Sequence, residues 1–324
     1  MVMGFRSKVI ALTGAIVLLS ALYLFGALWN GQGTIGQGRL LLTNLDTSRI
    51  ESIEIWKEGM ELAALKRTGG AWTAVVGNES LPASPARVSA LVASLHDLRS
   101  TKIMSTDRSL LSSFDLIAEK EGRIVVLSRD GLKLAEVEVG KQAASGYEDY
   151  VRVAGSSDVY LSPSSLSFYL AQGRDYWYDL SILPDDVTGA SIASIAVAGD
   201  VPLELAGSYA RASYRVARPA ADGRWAFEGG SLTVDQTRAS VMANSLATLQ
   251  GIDFVLDLGA LVPGGHRVSA TVVTSRGASY VIDARSVQGG ERFVVTRSGV
   301  PFLYLVNRDA LRRAVLPQSL LVSR

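Results

Sequence analysis

Three groups of acidic residues are the first candidates for chemistry in this sequence. They are Glu148-Asp149, Asp185-Asp186, and Asp175 with Asp179. Paired carboxylates that share a cleft can hydrolyse glycosidic bonds or bind hard cations such as Ca²⁺. Asp185-Asp186 follows Pro184, however, and this setting is typical of a turn or a helix cap. The sequence therefore favours a structural role for this pair over a catalytic one.

The two histidines, His96 and His266, are the next candidates. His96 lies near the C-terminal end of a predicted helix, where the helix dipole favours a cationic side chain without any catalytic role. His266 follows Pro263-Gly264-Gly265, which predicts a turn. The sequence motifs of serine hydrolases, zinc proteases and P-loop proteins do not occur in the chain. We therefore predict no catalytic residue, no cofactor, no metal site and no enzyme activity.

Aromatic residues remain as candidates for binding. Trp72 and Trp225 follow similar stretches of chain, and Tyr176-Trp177-Tyr178 forms an aromatic run. Exposed rings stack on sugars or contact protein partners, whereas buried rings pack inside the molecule. We predict Tyr176, Trp177, Tyr178, Trp72 and Trp225 as candidate contacts to a partner or ligand. Internal packing is the alternative for each of them.

The composition restricts the class of protein. Hydrophobic residues make up 48% of the 324 residues and charged residues 19%, so the chain has enough apolar material for a buried core. The 32 basic and 31 acidic residues nearly cancel and form no charge block, so we predict no nucleic-acid partner. The absence of cysteine excludes disulfides and thiolate metal sites, and two histidines are too few for a multi-histidine metal centre.

A charge-free apolar segment stands near the start of the chain. Arg6 and Lys8 precede Val9–Leu28, and the next charged residue is Arg39. At helical rise this segment spans about 30 Å, the thickness of a hydrocarbon core. It is longer than the core of a cleaved signal peptide, so we predict an uncleaved transmembrane helix that contacts membrane lipid through residues 9–28. The basic residues before it predict a single-pass protein of the bacterial inner membrane, with a cytoplasmic N-terminus and a periplasmic bulk.

Glycines follow the apolar segment. Gly31, Gly33 and Gly36 match the spacing of a dinucleotide-binding loop. That loop needs a strand before it and a helix after it, whereas this one follows a predicted membrane helix. We interpret it as a flexible linker, so residues 1–38 are predicted to form an anchor and a glycine-rich stalk.

The rest of the chain repeats itself. Ile50–Ile55 reads I-E-S-I-E-I and returns at Ile192–Val197 as I-A-S-I-A-V. The tryptophan, helix and hairpin patterns that follow the first copy also return, in the same order. Ordered matches at a separation of roughly 145 residues predict a duplicated domain rather than a solenoid, whose repeats are about 20–50 residues long. We predict a first repeat at 39–179 and a second at 180–324.

Each repeat is predicted to contain one main helix. In Ser84–Leu98, Pro85 suits the first helical position and apolar residues recur on one stripe. Asp235–Gln250 is the counterpart, with a capping box predicted at Thr233 and Gln236. The predicted fold class is therefore α+β: an N-terminal transmembrane helix followed by two tandem repeats, each a mostly antiparallel sheet covered by one main helix.

Several structural motifs resemble a known family. They are the two I-x-S-I-x-[IV] openings, Gly70-Ala71-Trp72, Gly223-Arg224-Trp225, and Asp149-Tyr150-Val151-Arg152-Val153 with Asp158-Val159-Tyr160-Leu161. These motifs, across residues 39–310, resemble a family of bacterial membrane-anchored proteins known as a domain of unknown function, whose members are often encoded beside gliding-motility-type or related ABC transporter genes. The second copy departs from the pattern, because Glu291-Arg292-Phe293-Val294 stands where the first copy has Asp149-Tyr150-Val151-Arg152.

The resemblance implies a protein-binding role and no enzyme activity. Its motifs are structural, so they identify no functional residue. With the predicted anchor and duplication, it leads us to expect a non-catalytic, membrane-anchored extracytoplasmic accessory or scaffolding subunit of an ABC-type transport or motility complex. The expected partners are a membrane permease or other subunits of the complex. The alternative is a cell-envelope binding module for a glycan or another envelope ligand.

Overall fold

The computed structural model describes residues 38–205, 207–219 and 223–323. The chain divides into two compact units. The first contains the chain up to Arg67 and Ala86–Arg174, and the second contains Thr68–Pro85 and the chain from Asp175 onward. The second unit thus includes a stretch of the first predicted repeat. The predicted repeat boundaries stay a prediction.

Short antiparallel strands build the first unit. The strands in this half of the chain are β1 (Arg39–Leu40), β2 (Ser52–Lys57), β3 (Met60–Thr68), β4 (Ala71–Val76), β5 (Glu79–Pro82), β6 (Arg99–Ser100), β7 (Lys102–Ser105), β8 (Gly122–Leu127), β9 (Lys133–Gln142), β10 (Asp149–Val153) and β11 (Val159–Ser162). The main sheet of the first unit has the order β3-β2-β8-β9-β10-β11-β7. β1 pairs with β6 in a separate two-stranded sheet. β4 and β5 pair as a hairpin, which belongs to the second unit.

The second unit contains an eight-stranded antiparallel sheet. Its strands are β12 (Ile192–Pro202), β13 (Tyr209–Ala217), β14 (Ala226–Phe227), β15 (Asp253–Phe254), β16 (Pro263–Thr274), β17 (Ser279–Val287), β18 (Arg292–Arg297) and β19 (Leu303–Asn307). Their order is β14-β13-β12-β16-β17-β18-β19-β15. The run β3-β2-β8-β9-β10-β11 in the first unit thus has the same connectivity as β13-β12-β16-β17-β18-β19.

Helices are few and short in the described residues. The α-helices are α1 (Pro85–His96), α2 (Leu166–Leu170), α3 (Gln236–Ala247), α4 (Arg308–Ala314) and α5 (Gln318–Leu321). Short 3-10 helices occur at Thr47–Arg49, Arg108–Phe114, Arg174–Trp177, Leu258–Ala260 and Gln288–Gly290. α1 starts at Pro85, as the sequence predicts for the first helical position.

The apolar periodicity of the sequence forms the two cores. In the first unit, Leu91 and Leu95 on α1 and Ile53 and Ile55 on β2 are fully buried. In the second unit, the equivalent residues are Met242 and Leu246 on α3, with Ile195 and Val197 on β12. The helical stripe and the alternate residues of the strand are therefore the faces that each unit removes from water.

The predicted transmembrane helix is not supported. The segment at residues 9–28 and the stalk glycines lie outside the described residues. In the part of the chain that the structure describes, no helix is both long enough and apolar enough to cross a membrane. α1 and α3 have 12 residues each, or about 18 Å at helical rise, against a hydrocarbon core of about 30 Å. The predictions of a single-pass anchor and of an inner-membrane location that depended on it are corrected accordingly.

The prediction that one main helix covers each sheet is also wrong. The described chain forms three sheets, and antiparallel strands account for most of its regular structure. Seven strands side by side span about 29 Å, whereas one helix is about 10 Å wide, so a single short helix leaves most of a sheet uncovered. Periodicity identifies a helix, but it carries no information about how much sheet surface that helix must cover.

Candidate functional site

A groove of about 530 Å³ lies on β16–β19 in the second unit. The strand register places Arg267 on β16 opposite Arg285 on β17, Arg285 opposite Val294 on β18, and Val294 opposite Leu305 on β19. Because directly paired residues on antiparallel strands project from the same face of a sheet, these four side chains share one face. This β16–β19 groove therefore has a charged end at β16–β17 and an apolar end at β18–β19.

Apolar side chains form the floor and one wall of the β16–β19 groove. The buried cluster at its apolar end consists of Val287, Val294 and Leu305, with Val255, Leu261 and Leu303 packed against it. The wall includes the 3-10 helix Leu258–Ala260, which starts at Asp257, where the carboxylate accepts a hydrogen bond from the Gly259 backbone N–H at 2.8 Å. Leu258 lines the groove and is 56% exposed, so this wall still offers apolar surface to a ligand.

Arginines define the other end of the β16–β19 groove. Arg267 Nη2 donates a hydrogen bond to Asp283 Oδ1 at 3.0 Å, which neutralises the Arg267 charge. The exposed Arg285 side chain forms no ion pair or hydrogen bond with any residue that the structure describes. The groove lining therefore carries two positive charges and one negative charge.

His266 lies in a second cluster and not in the predicted turn. It belongs to β16, whose pairing with β17 shifts register between Pro263 and Arg267. The His266 ring stacks on Tyr209 with 3.6 Å between ring centroids, and its Nδ1 is 3.3 Å from Asp200 Oδ2. A hydrogen bond from the Arg211 guanidinium, supported by His266, lowers the pKa of the Asp200 carboxyl below its usual value. Among the described residues, no serine or threonine hydroxyl contacts the His266 ring, so this cluster lacks the nucleophile of a hydrolase.

Arg308 packs against the Tyr209 ring of the same cluster. It is 5% exposed, and its guanidinium lies 4.8 Å from the centroid of the Tyr209 ring. It donates five hydrogen bonds, whose acceptors are Tyr209 Oη and the carbonyl oxygens of Gly290, Leu203, Leu205 and Ser208. Nη1 and Nη2 donate all five bonds, and Nε is buried without a hydrogen-bond partner among the described residues, so the guanidinium fixes loops in place and presents no accessible donor to a ligand. The cluster is therefore structural.

The candidate carboxylates lie apart from one another, and each has its own structural role. Asp149 is fully buried, and its Oδ2 accepts a hydrogen bond from the Ser167 backbone N–H at 2.8 Å at the start of α2. Glu148 accepts a hydrogen bond from the Thr101 hydroxyl at 3.1 Å. Asp185-Asp186 lies in a turn closed by a hydrogen bond from the Val187 N–H to the Pro184 carbonyl oxygen, as the sequence predicts.

The remaining acidic residues and His96 also stay apart. Asp179 Oδ1 accepts a hydrogen bond from the Ser181 N–H at 3.1 Å, and Asp175 is exposed. His96 ends α1 and lies 3.2 Å from Asp97 on the surface. No group of three or more potential metal ligands occurs in the described ranges. The structure therefore does not bring the predicted carboxylates and histidines into one site.

Three of the five predicted aromatic contacts are buried. Trp177, Tyr178 and Trp225 are almost inaccessible, whereas Trp72 and Tyr176 are half-buried. In the second unit, the Trp72 carbonyl oxygen accepts a hydrogen bond from Ala83, and Ala83 forms a bridge with Tyr178. The Tyr178 ring packs edge-on against Phe254 at 5.3 Å. Internal packing thus accounts for most of this aromatic group, and only Trp72 and Tyr176 keep surface for a partner or ligand.

Trp225 is held by a different element. The Gln236 side chain accepts a hydrogen bond from the Trp225 N–H at 2.7 Å and donates one to the Trp225 carbonyl oxygen at 2.8 Å. The Arg218 guanidinium lies 5.1 Å from the centroid of the Trp225 ring. The ring is therefore a packing element beside α3, and Gln236 does not serve the predicted capping box.

Sequence reasoning missed both the β16–β19 groove and Arg308. A sequence signal for the groove exists in Leu256–Val262, which reads L-D-L-G-A-L-V and carries apolar residues without a helical or strand period. Arg308 has no comparable signal, because its partners lie about a hundred residues earlier in the chain.

Comparisons with known proteins give one match. A family model described as a domain of unknown function, DUF4340, matches residues 72–263, which is more than half of the chain. Neither the curated proteins nor the solved structures contain a match. The resemblance that the sequence motifs indicated is thus confirmed at the level of a domain-of-unknown-function family: the chain belongs to the DUF4340 family.

Proposed function

We propose that the protein is a non-catalytic accessory or scaffolding subunit of an ABC-type transport or motility complex. It binds a permease or another protein subunit of that complex. Two lines support the proposal: the likeness of its motifs to proteins encoded beside ABC transporter genes, and the edge of the first unit's sheet. The edge carries the argument.

β7 is the last strand in the sheet of the first unit. It pairs with β11 on one side, and no described strand of this unit pairs with its other side. An uncovered edge strand offers backbone N–H and C=O groups to a strand from another chain. Lys102 and a register shift in the β11–β7 pairing shield part of this edge, but the apolar residues Ile103 and Met104 follow Lys102. This edge therefore suits addition of a partner strand.

Exposed apolar side chains flank the same edge. Ile103 on β7, Leu110 in the following 3-10 helix and Tyr147 before β10 are all exposed. The Thr101 hydroxyl, next to β7, donates a hydrogen bond to Glu148, which ties the Tyr147 loop to the start of this strand. Exposed apolar side chains near an uncovered edge strand add apolar surface that a protein partner can cover. We call Lys102–Ser105, Leu110 and Tyr147 the β7 surface.

Photo-crosslinking in cells of the natural host tests this proposal. A photoreactive amino acid replaces Ile103, and the control carries it at Val241 on α3, because the two positions have similar exposure, 50% and 53%. We expect the Ile103 protein to form a crosslink to a transporter subunit, identified by mass spectrometry, and the Val241 protein to form none. Absence of any transporter subunit from the Ile103 product would overturn the proposal.

A duplicated origin for the two sheets is part of the same proposal. The matching connectivity of β3-β2-β8-β9-β10-β11 and β13-β12-β16-β17-β18-β19 supports it, together with the repeated I-x-S-I-x-[IV] openings. A duplicated scaffold gives an accessory subunit two separate surfaces on one chain. Crosslinking positions placed in both sheets would show whether one or both bind partners.

A binding module for a glycan or another cell-envelope ligand is the second candidate. The half-buried rings of Trp72 and Tyr176 support it, because partly exposed aromatic side chains stack on sugars. Sedimentation of the protein with purified cell-wall glycan tests this candidate. The Trp72→Ala protein should sediment less than wild type, and equal sedimentation of the two would exclude this ring as a glycan contact.

A further inference from the structure

We propose that the β16–β19 groove binds an anionic amphiphile, namely a single acyl chain that ends in a carboxylate. The acyl chain lies against the apolar end of the groove, and the carboxylate lies at Arg285. The site goes beyond the proposed scaffolding role, because the groove belongs to the second unit and the β7 surface belongs to the first. Binding of this ligand needs no partner subunit.

The apolar end of the groove has the size and lining of a ligand site. The volume of the whole groove, about 530 Å³, falls within the range of about 300–1,000 Å³ that is usual for small-molecule sites. Val294 supplies the floor, Leu303 the far side and Leu258 the wall. When an alkyl chain covers the exposed part of Leu258, apolar surface of the chain and of Leu258 is removed from water. This burial is the main driving force for binding an alkyl chain.

The charged end calls for an anion. Arg267 and Arg285 face each other directly across β16 and β17, and like charges in that position repel. Asp283 offsets Arg267 through their ion pair, so the charge of Arg285 remains without a neutralising partner among the described residues. A ligand carboxylate beside Arg285 neutralises the positive charge of Arg285 and accepts charge-assisted hydrogen bonds from the Arg285 guanidinium.

The order of residues across the strands matches the polarity of the ligand. One row of the sheet runs from Arg267 and Arg285 to Val294 and Leu305. Neighbouring strands are about 4.8 Å apart, so the distance from β17 to β19 is about 10 Å. A molecule that lies across the strands therefore meets charge at one end and hydrocarbon at the other.

An acyl chain fits this lining better than a peptide does. A peptide segment in the groove would bring backbone N–H and C=O groups against Leu258, Val294 and Leu303, whose side chains offer no hydrogen bonds. Polar groups that lose water without gaining partners weaken binding. An alkyl chain carries no such groups, so its only polar requirement is the one at Arg285.

Photoaffinity labelling of the full chain tests the proposal. The probe is a fatty acid with a diazirine in its alkyl chain, used at subsaturating concentration, and its control is the corresponding fatty alcohol. We expect the acid to label peptides that contain Leu258, Leu261 or Leu303, and laurate in excess to compete with it. The alcohol should label these peptides about tenfold less, because it lacks the charge-assisted contact with arginine.

Two substitutions in one hairpin provide the matched comparison. Arg285→Gln should reduce labelling of the groove peptides about tenfold, because it removes the charge but keeps a polar side chain. Arg276→Gln should leave labelling unchanged, since Arg276 lies in the turn of the same β16–β17 hairpin and is 82% exposed. Leu258→Ser, at a largely exposed position, should also reduce labelling without unfolding the chain.

Several outcomes would overturn the proposal. They are the absence of label in the groove peptides, equal labelling by acid and alcohol, and equal effects of Arg285→Gln and Arg276→Gln. Binding of an acidic apolar peptide without binding of laurate would assign the groove to a protein ligand instead. Because labelling uses the purified chain, its failure is separate from a failure of crosslinking at Ile103.

Discussion

Replacing Arg308 with methionine should strongly destabilise the second unit. Arg308 is the buried donor for Tyr209 Oη and four carbonyl oxygens, and three of those carbonyls belong to the connection between β12 and β13. Methionine fills a similar volume but donates no hydrogen bond. The substitution therefore isolates the hydrogen bonds of the guanidinium from its packing.

The expected loss of unfolding free energy depends on how many buried acceptors lose their hydrogen-bond donor. A buried acceptor without a partner costs about 1–3 kcal/mol. The carbonyl oxygens of Ser208 and Leu205 keep hydrogen bonds from the backbone N–H groups of Leu203 and Ser208, both at 3.0 Å. Gly290, which is buried, and Leu203, which is partly buried, lose the donor that Arg308 supplies. With two acceptors unsatisfied, the free energy of unfolding should fall by about 3–5 kcal/mol.

Urea-induced unfolding, followed by tryptophan fluorescence, measures this loss. Arg312→Met on the same helix is the control, because Arg312 pairs with the exposed Asp309 at 3.4 Å and such surface pairs contribute about 0–1 kcal/mol. Hydrogen exchange of residues 203–205 and 207–211 should accelerate in Arg308→Met alone. A loss for Arg308→Met that is no larger than that for Arg312→Met would refute the reasoning.

Three further predictions concern single positions. Gly290→Ala should lower the free energy of unfolding by about 2–4 kcal/mol, because Gly290 has φ +90° and an added Cβ atom would lie 2.5 Å from Tyr209 Oη. Gly299→Ala is the control: Gly299 has a similar φ of +83° but lies in open space, so this substitution should cost about 1 kcal/mol. Burial raises the pKa of Tyr214 well above its usual value, so the unfolded chain loses this proton first. The stabilising effect is complete below the unfolded pKa of about 10 and is lost as pH rises beyond it, so urea titrations above that pH should show a steeper loss for wild type than for Tyr214→Phe. Asp149→Ala should lower the melting temperature through a loss of about 1–2 kcal/mol, because it removes the acceptor at the first turn of α2, and an unchanged melting temperature would contradict that role.

Local patterns in the sequence predicted helices well where a single face decides the structure. The stripe in Ser84–Leu98 became α1 at Pro85–His96, with Leu91 and Leu95 in the core. The turn at Asp185-Asp186 was equally predictable, because Pro184 and the two acidic residues act within a few positions of one another. Neighbours along the chain determine both features, so the sequence contains what is needed.

The capping box shows where local reasoning fails. Thr233-x-x-Gln236 has the right spacing, but Asp235 is the residue whose side chain accepts the hydrogen bond at the start of α3. Gln236 instead binds the backbone of Trp225, eleven residues earlier. The backbone N–H and carbonyl oxygen of Trp225 together bind the Gln236 side chain, so Gln236 does not form the local capping bond.

The sequence also did not determine which aromatic residues are buried, because their burial depends on tertiary partners. Tyr176-Trp177-Tyr178 reads equally well as a surface patch or as a packing element. The pairing of this segment with residues 82–84 places Trp177 and Tyr178 inside the second unit and leaves Tyr176 half-buried. Residues about a hundred positions apart decide this, and no periodicity connects them.

The sequence by itself determined the antiparallel strand content, the main helices, the absence of cysteine chemistry and membership of a domain-of-unknown-function family. These features depend on composition and on spacings within a short window. Only the tertiary structure decided that Arg267 and Arg285 share one end of a groove, that Val294 lies beside them, and that Arg308 joins distant loops. Strand register and long-range hydrogen bonds create those contacts, and both arise only when segments far apart in the chain are brought together.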